Sequence, residues 1–407
     1  MKKIYSLFFL FTSSFFFSCS SGENSFDITM VNPADIERVD EFVILSIDSI
    51  KQKYPDFNPE SFTVYDNDKE IPCQVENHES ISFVADFTPL EKKVITIKNN
   101  IENKNNYKSR VYAEVAMKVD YNFVDGKYSG GRFQNYDSVR VPDGHTDHNA
   151  LFKYEGPGWE SDKVGYRYYI DWRNRIDIFG KKTNELVLKN VGVDDREAKD
   201  DSYHMMQDWG MDIYKVGNSF GIGSYGMMID DSIFMVSERD SVICMITENG
   251  PVKAEVKTDF YGWTAGNNKY DLTSRLSITA GSRLTKAELM IDNESSDLIT
   301  GLAKDVKAGF FENKTEHQWS YIALYGNHSL ADDYLGVALF YNNDELIKEH
   351  ETTDSHTVLL KPAVGKVTYY FCAAWEKEPG GIKSKDEFIS YLDITLEKLN
   401  NPVVVQY

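Results

Sequence analysis

Short runs of valine, isoleucine, tyrosine, phenylalanine and threonine, many of them alternating with polar residues, recur along nearly all 407 residues of the chain. Alternation with a period of two is typical of β-strands, because successive side chains of a strand point to opposite faces of the sheet. Clusters of Asn, Asp, Gly and Pro separate the runs, as turn residues do between strands. The pattern therefore predicts an all-β fold.

The β-rich runs fall into two groups. An early group lies within about eighty residues and predicts a small N-terminal β-sandwich over residues 25–100. The runs of this group are 42–45, 62–65, 81–84 and 94–97. The polar stretch 99–106 (NNIENKNN) has no periodicity and is predicted to be a linker. Longer segments follow and predict a large antiparallel two-sheet domain, similar to a super-sandwich, over residues 101–407. These segments are 111–123, 166–179, 252–260, 272–278, 321–325 and 335–340.

One helix is predicted, close to the C-terminus. Ser384-Lys385-Asp386-Glu387 has the form of a capping box, in which the serine side chain and the glutamate satisfy backbone N–H groups at the start of a helix. Apolar residues follow it at helical spacing. They are Phe388, Tyr391, Leu392, Leu396 and Leu399.

The first 24 residues are predicted to be a lipoprotein signal peptide and tether. Lys2 and Lys3 precede an apolar run at 4–17, which is too short for a resident membrane helix. Ser18 then stands directly before Cys19, as in a bacterial lipoprotein processing site. We expect export and lipid (palmitate) anchoring to the outer membrane through Cys19. The sequence does not decide between the periplasmic and the surface-facing side of that membrane.

Composition restricts the class of partner. Hydrophobic residues make up 42% of the chain, which is enough for a sizeable core. The formal net charge of −20 argues against nucleic acid and against a polybasic membrane surface. An anionic substrate would therefore need a local basic pocket. The three remaining cysteines, Cys73, Cys244 and Cys372, lack metal-ligand spacing and are predicted to be structural thiols, with Cys244 and Cys372 buried in strands.

Two familiar motifs fail in their context. Residues 217–221 (GNSFG) match the nucleophile elbow of hydrolases, and Gly221, Gly223 and Gly226 spell a dinucleotide-binding pattern. Both motifs require a helix directly after them, and the glycine-rich residues that follow are poor helix formers. We interpret the segment as a glycine-bent strand pair.

The residues suited to chemistry are concentrated between 132 and 212. A polar loop at 143–149 carries His145 and His148, and with Asp147 their spacing resembles a metal site that lacks a clear third ligand. A divalent metal therefore stays an open alternative. The next loop, 154–162, presents Trp159, Glu155 and Glu160 around a Gly-Pro-Gly sequence.

Residues 166–179 are predicted to be one strand with two unlike faces. The first face is largely apolar, is interrupted by Asn174, and consists otherwise of Tyr168, Ile170, Trp172, Ile176 and Ile178. The second is polar and consists of Tyr169, Asp171, Arg173, Arg175 and Asp177. Such a polar face either lines a cleft or is a solvated ladder of ion pairs.

Residues 203–212, if extended, place His204, Asp208 and Asp212 on one face. A histidine near carboxylates can be an oriented base or a metal ligand. Trp159, Trp172 and Trp209, if exposed, would suit stacking on sugar rings. Taken singly, each tryptophan also fits a core position.

Several of these runs resemble a family of exported Bacteroidetes proteins, the domain-of-unknown-function family number 4861. The runs are YEGPGWESDKVGYR (154–167), DWRN (171–174), DIFG (177–180) and DWGMD (208–212). The resemblance covers nearly the whole mature chain. It implies a lipid-anchored protein of polysaccharide-utilisation loci that processes uronic-acid polysaccharides such as pectin or ulvan. It assigns no catalytic residues.

The candidate residues suit a carbon–oxygen lyase that performs β-elimination on a uronic acid. In this hypothesis Arg173 and Arg175 neutralise the carboxylate, His148 or His204 is the base, and Tyr166 or Tyr168 is the acid. His145 and Asp208 complete the catalytic candidates. A glycosidic leaving oxygen would make the protein a polysaccharide lyase, and a ring hydroxyl an oligosaccharide dehydratase. Two alternatives stay open. One is a glycoside hydrolase that uses Glu155, Glu160 or Asp171, and the other is a non-catalytic sugar-binding lipoprotein.

Overall fold

The computed structural model describes residues 24–99, 107–193, 202–292 and 297–407. The predicted signal peptide with Cys19 and most of the predicted linker lie outside these residues. Two α-helices are described, Ile47–Lys53 (α1) and Lys385–Asn400 (α2), with short 3-10 helices at Lys153–Glu155, Leu188–Asn190 and Ser202–His204.

The other described elements are β-strands. The first fifteen are Asn24–Val31 (β1), Arg38–Ser46 (β2), Phe62–Asp66 (β3), Lys69–Ile71 (β4), Cys73–Glu76 (β5), Ser80–Phe87 (β6), Lys92–Asn99 (β7), Val111–Val119 (β8), Asn122–Val124 (β9), Lys127–Ser129 (β10), Arg132–Tyr136 (β11), Ser138–Arg140 (β12), Gly158–Ser161 (β13), Gly165–Tyr168 (β14) and Ile176–Lys181 (β15). They are followed by Gly210–Asp212 (β16), Ile222–Ile229 (β17), Ser232–Met235 (β18), Ser241–Asn249 (β19), Lys253–Ala265 (β20), Asn268–Thr279 (β21), Leu284–Ile291 (β22), Leu298–Ala303 (β23), Ala308–Asn313 (β24), Trp319–Gly326 (β25), Leu335–Asn342 (β26), Leu346–Glu351 (β27), Ser355–Leu360 (β28), Lys366–Trp375 (β29) and Val404–Gln406 (β30). The predicted all-β class is confirmed.

Residues 24–99 form two facing sheets around a core of their own. The sheets have the strand orders β30-β1-β7-β3-β4 and β2-β6-β5. Alternate residues of these strands, such as Ile28, Val43 and Ile95, fill the space between them. The C-terminal strand β30 pairs with β1, through Met30 and Val405 among others, so the chain returns to this sandwich at its end. The domain boundaries given above stay a prediction.

The larger part of the chain is also layered. One layer is a nine-stranded sheet of order β12-β19-β20-β21-β22-β29-β26-β25-β24. The second layer combines a six-stranded sheet (β11-β8-β13-β14-β15-β16) with a five-stranded sheet (β18-β17-β23-β28-β27). Residues of all three sheets, including Ile178, Ile222 and Leu276, share the main hydrophobic core. The six-stranded sheet thus has one face on this core and its other face turned away from it.

The C-terminal helix α2 forms where the capping box predicts it. The Ser384 hydroxyl accepts a hydrogen bond of 3.2 Å from the Glu387 N–H. Phe388, Leu392 and Leu396 are buried in a second cluster on the outer face of the nine-stranded sheet. In the described part of the chain, no helix combines the length and the apolar character needed to cross a membrane. Cys73, Cys244 and Cys372 are buried free thiols, as predicted for Cys244 and Cys372.

The glycine-rich segment differs from the predicted strand pair. Residues 217–221 lie in a turn in which the Ser219 hydroxyl donates to the Val216 carbonyl at 2.5 Å, so this serine is a buried turn residue. The single strand β17 follows, and its register shifts between Ile222 and Tyr225. Gly223 has a φ of +69°, and a Cβ there would lie 2.3 Å from the Phe371 ring. Only glycine therefore fits at this bend, where the backbone lies directly against the core.

The predicted single strand at 166–179 is not formed. The chain instead reverses between β14 and β15, which pair with each other in antiparallel register. The Tyr169 N–H donates to the Arg175 carbonyl at 2.8 Å and closes the loop between the strands. Asn174 has a φ of +51°, a left-handed conformation that asparagine tolerates better than most residues. This reversal determines which side chains meet in the site.

Candidate functional site

The outward face of the six-stranded sheet carries a buried arginine. Arg167 of β14 is 2% exposed, and its Nη2 donates to Asp177 Oδ2 at 2.7 Å and to Asp212 Oδ2 at 2.6 Å. Its Nη1 donates to the Tyr203 hydroxyl at 3.0 Å. The guanidinium also lies 4.9 Å from the centres of both the Tyr169 and the Tyr203 rings. Arg167 is therefore fixed between two carboxylates and two aromatic rings.

One histidine is attached to this centre through Asp212. His204 Nδ1 lies 2.9 Å from Asp212 Oδ2, and 40% of the imidazole side chain is exposed. Because Arg167 holds the same carboxylate, the orientation of the ring is fixed. The bond at Nδ1 directs the other ring nitrogen, Nε2, away from Asp212. An oriented and accessible imidazole of this kind suits proton transfer.

A second histidine lies at the opposite end of the same network. His148 Nδ1 contacts Asp147 and lies 3.5 Å from Glu155 Oε1. Glu155 in turn approaches Arg167 through Oε2 at 3.7 Å. Burial alone would raise the pKa of Glu155, but Arg167 and Arg173 outweigh it and hold that pKa below its usual value. An ionised Glu155 therefore links the two ends of the network.

Arg173 neutralises the carboxylates around His148. Its guanidinium lies 2.9 Å from both Asp147 Oδ1 and Glu155 Oε1, and its Nε donates to Asp171 Oδ1 at 3.0 Å. The guanidinium also stacks on the Tyr169 ring at 4.2 Å. The positive charge of Arg173 is thus already neutralised by protein carboxylates. This arrangement differs from the predicted role, in which Arg173 binds the carboxylate of the substrate.

The backbone around the site adopts unusual conformations. Positive φ values occur at His148 (53°), Ala150 (60°), Tyr154 (39°) and Glu155 (72°). Side chains other than asparagine, aspartate and histidine rarely adopt this region, and such strain tends to cluster at functional sites. At the neighbouring Gly156, a Cβ would lie 2.0 Å from the Tyr168 carbonyl oxygen. The Gly-Pro-Gly sequence therefore brings the backbone close enough to place Glu155.

Asp147, His148 and Glu155 also form the candidate metal set. One donor atom from each of the three lies within 4.8 Å of the other two. His145, predicted as a partner, instead places Nδ1 3.1 Å from Asn149 Oδ1 and packs on Phe152. Since Arg173 contacts both carboxylates, a divalent cation fits this set only if Arg173 moves away.

The two predicted tyrosine acids lie on the other face of the sheet. The Tyr166 hydroxyl donates to the Arg283 carbonyl at 2.7 Å, and the Tyr168 hydroxyl bonds to that of Tyr225 at 2.9 Å. Both side chains are fully buried in the main core, and burial raises both pKa values well above 10. Because they point away from Arg167, we leave them out of the proposed site.

The remaining predicted residues are spread over different surroundings. Trp159 is fully buried, with Nε1 donating to Thr285 at 2.9 Å, so it offers no stacking surface. Glu160 is buried against Lys181 at 2.7 Å. Asp208 is exposed, and Trp209 packs edge-on against Phe179. Trp172, in contrast, is 54% exposed at the tip of the β14–β15 loop.

Sequence reasoning overlooked Arg167 and Tyr203. Residues 203–212 are not one extended strand, since a 3-10 helix ends at His204 and β16 begins at Gly210. His204 and Asp212 meet because the segment folds back, since residues eight apart on one extended strand would lie about 26 Å from each other. The sequence signal for Arg167 is its alternation with Tyr169, which places both side chains on one face. If the chain reverses near Asn174, Asp177 pairs with Arg167 and joins the same face.

Asp177 should make stability depend on pH. Its burial, followed by repulsion from Asp212, outweighs Arg167 and raises its pKa from 3.8 to about 6. A carboxyl whose pKa is raised by folding stabilises the fold below its unfolded pKa, and this contribution is lost as pH rises through about 6. Between about pH 5 and pH 8, we expect the native protein to lose at least about 1 kcal/mol of unfolding free energy relative to Asp177→Asn. Urea unfolding of both proteins at the two pH values measures this, and equal changes in both would contradict it.

A separate cleft of about 590 Å³ lies between the N-terminal sandwich, α2 and the nine-stranded sheet. Its walls include Trp319 and Tyr391. Two of its basic residues are already paired, Arg283 with Glu378 and Lys253 with Glu76. The described residues that line the cleft include no histidine. The candidate site is therefore the network between His148 and His204.

Comparison with known proteins gives two kinds of match. A family model described as "Domain of unknown function (DUF4861)" matches residues 30–405. The uncharacterized protein P7 of Formosa agariphila is 23% identical over 434 residues, covering 100% of this chain and 99% of that protein. The match to P7 thus extends over the full length of both chains.

Two solved structures from Enterococcus faecalis superpose on most of the chain. They are a glycosyl hydrolase family 38 protein (TM-score 0.48, 10% identity) and an alpha-mannosidase (TM-score 0.47, 9% identity). Each alignment covers 94% of this chain, but only 47% and 46% of the two structures, so the chain spans about half their length. The family model in contrast covers nearly every residue that the structure describes, and the chain belongs to the DUF4861 family.

Proposed function

We propose that this protein is a carbohydrate-active carbon–oxygen lyase that performs β-elimination on uronic-acid oligosaccharides. The observation that carries the proposal is the pair of exposed imidazoles at the two ends of one buried network. His204 is oriented by Asp212, and His148 is held by Asp147 and Glu155. The sequence segments that form the site resemble those of exported proteins of polysaccharide-utilisation loci. This resemblance supports the proposed class of substrate.

Elimination needs one proton acceptor and one proton donor. We assign the acceptor role to His204, whose Nε2 takes the proton from the carbon next to the carboxylate. The electron pair of that C–H bond forms a carbon–carbon double bond, and the adjacent carbon–oxygen bond breaks. The leaving oxygen takes a proton from His148. No water is consumed, and the product is an unsaturated sugar acid.

The identity of the leaving oxygen separates two forms of the reaction. A glycosidic oxygen gives a polysaccharide lyase that shortens the chain. A ring hydroxyl gives an oligosaccharide dehydratase that releases water from an intact oligosaccharide. The two histidines serve either form, so the proposal covers both.

The carboxylates suggested for hydrolysis have basic partners. Glu155 and Asp171 both contact Arg173, and Glu160 is buried against Lys181. A hydrolase needs one carboxyl group to donate a proton to the leaving oxygen and another to act as base or nucleophile. Arg167 and Arg173 hold the pKa of Glu155 below its usual value and make it a poorer acid. Burial raises the pKa of Glu160, but its two oxygens are bonded to Lys181 and to backbone N–H groups and the residue has no exposed surface, so it does not reach a substrate. This argument supports elimination over hydrolysis.

The proposal is tested by incubating the purified mature protein with pectin- and ulvan-derived oligosaccharides. We expect ultraviolet absorbance to rise as the unsaturated sugar acid forms. Oligosaccharides whose carboxyl groups have been reduced to alcohols serve as the matched control and should give no signal. A panel of uronic-acid substrates that bind without any rise in absorbance would contradict the proposal and favour a sugar-binding lipoprotein.

We also propose export and lipid anchoring. The support is the positively charged start, the apolar run at 4–17 and the Ser18-Cys19 sequence. Metabolic labelling with a fatty acid analogue in a bacterial host should mark the native protein. Cys19→Ala should remain unlabelled, whereas equal labelling of both would contradict the anchor.

A further inference from the structure

The loop between β14 and β15 holds a completely buried asparagine whose amide has no hydrogen-bond partner in the described part of the chain. Asn174 has no exposed surface, and neither its Oδ1 nor its Nδ2 forms a hydrogen bond among the described residues. The neighbouring Arg175 Nε is also buried and has no hydrogen-bond partner within the described ranges. Buried polar groups of folded proteins almost always have a partner, whether protein, water or ligand. Three unsatisfied polar atoms on two adjacent residues therefore indicate a polar occupant.

Two arginines near this loop lack a carboxylate partner. Arg175 Nη1 donates to the Arg173 carbonyl at 2.5 Å, and Arg239 donates to the carbonyls of Ile170, Val236 and Ser237 at 2.6–2.9 Å. In the part of the chain that the structure describes, neither guanidinium lies within 4.0 Å of a carboxylate oxygen.

The electrostatics of these two arginines differ from those of Arg173. Burial lowers the pKa of Arg175 to about 10 and also lowers that of Arg239, whereas Asp171 and Glu155 outweigh burial at Arg173 and raise its pKa. Asp171 acts on both guanidiniums only at a distance and does not offset their burial, so an anion that joins them would be favourable.

Both guanidiniums belong to the same region of the molecule. Arg239 Nη2 bonds to the loop itself at Ile170, while Arg175 ends the loop. Asp171 and Tyr168 interact electrostatically with both arginines. Trp172, 54% exposed, lies at the tip of the same loop and offers an apolar face for a sugar ring.

We propose that Arg175, Arg239 and Asn174 form a subsite for the oxyanion group of an acidic saccharide. The inference rests on the proposed function and assigns the recognition of the substrate carboxylate to this subsite, because Arg173 is already neutralised by three protein carboxylates. Guanidinium N–H groups and Asn174 Nδ2 are donors that match a sugar carboxylate, and an anion there would also satisfy Arg175 Nε. Asn174 Oδ1 is an acceptor, and a hydroxyl group of the same sugar would donate to it.

The test combines binding and kinetics in the full mature protein. Glucuronate, glucose and inorganic sulfate are the probes for calorimetric titration of the native protein and of Arg175→Gln, Arg239→Gln and Arg140→Gln. Arg140 is the matched control, because its side chain is 63% exposed and lies 3.8 Å from Asp143. KM and kcat are measured on uronic-acid oligosaccharides for the same proteins.

We expect native protein and Arg140→Gln to bind glucuronate and not glucose. Arg175→Gln and Arg239→Gln should each weaken glucuronate binding about 10- to 100-fold and raise KM similarly, with kcat changed only a few-fold. If Arg175→Gln fails to fold, Arg175→Lys keeps the charge and should still weaken binding, because lysine lacks the planar fork.

The outcomes separate this inference from the proposed function. Glucuronate binding that depends on Arg175 and Arg239, without any turnover, would support the subsite and contradict the lyase. Turnover with KM unchanged in both variants would contradict the subsite and leave the lyase standing. Binding of inorganic sulfate as tight as that of glucuronate would show an adventitious anion only and would also overturn the subsite.

Discussion

Replacing His204 by alanine should lower the rate of elimination by about 10²- to 10⁴-fold, the usual contribution of a general base. The ring is 40% exposed, so its removal leaves little cavity, and Asp212 stays bound to Arg167. We therefore expect the free energy of unfolding to change by less than about 1 kcal/mol. Initial rates of absorbance increase and urea unfolding of the same preparation measure the two quantities.

The matched control for this variant is His78→Ala. His78 also contacts a carboxylate, with Nδ1 3.3 Å from Glu60 Oε1, but it lies in the N-terminal sandwich and is 82% exposed. Its replacement should leave the rate unchanged. A near-native rate for His204→Ala would remove this residue from the mechanism, and an equal loss for both variants would point to a general effect of losing an imidazole.

Replacing Arg167 by methionine should destabilise the fold by about 3–5 kcal/mol. The substitution keeps much of the side-chain volume but leaves Asp177 and Asp212 buried without their cation. A buried charge that loses its partner carries most of its desolvation cost. The same change should abolish turnover, since Asp212 would lose the group that holds it against His204. Denaturant unfolding followed by tryptophan fluorescence measures the stability.

Lys108→Met is the control for the loss of an ion pair. Lys108 pairs with Glu185 at 3.0 Å, but the two side chains are 79% and 68% exposed. An exposed pair of this kind contributes less than about 1 kcal/mol because water and salt screen it. If Arg167→Met were no more destabilising than Lys108→Met, the buried network would not hold the site together.

The sequence predicted those parts of the fold that depend on local pattern. The capping box at Ser384 and the spacing of Phe388, Leu392 and Leu396 describe α2 correctly, because helix caps and helical faces are set within a few residues. The N-terminal runs 42–45, 62–65, 81–84 and 94–97 are all strands, since alternation and β-branched residues are local signals too.

The site could be predicted only in part, because both faces of its central strands are buried. Every residue of β14 and β15 is buried, so the polar face that carries the site is as inaccessible as the apolar face on the core. Tyr166 and Arg167 are both almost inaccessible, although they point in opposite directions. Alternation identified the polar face, whereas Tyr166 and Tyr168, the predicted acids, lie on the apolar face and point into the core.

Contacts between residues far apart in the chain could not be predicted from the sequence for a related reason. Arg167 and Asp212 are 45 residues apart, and their contact depends on the register of β14, β15 and β16. The pairing of Val405 with Met30 joins the two ends of the chain in the same way. Register of this kind is set by the packing of whole sheets. The sequence predicted one strand face for His204 and Asp212, whereas the structure brings the two side chains together through a turn.

The central claim is that two histidines at the ends of one buried network remove a proton and a leaving oxygen without using water. Mass spectrometry of products formed in heavy-oxygen water tests it most directly. The account predicts unsaturated uronic-acid products with no heavy oxygen incorporated, and no such products from His204→Ala. Saturated products with one heavy oxygen per cleaved bond, carried by the fragment with the new reducing end, would show hydrolysis and contradict the account.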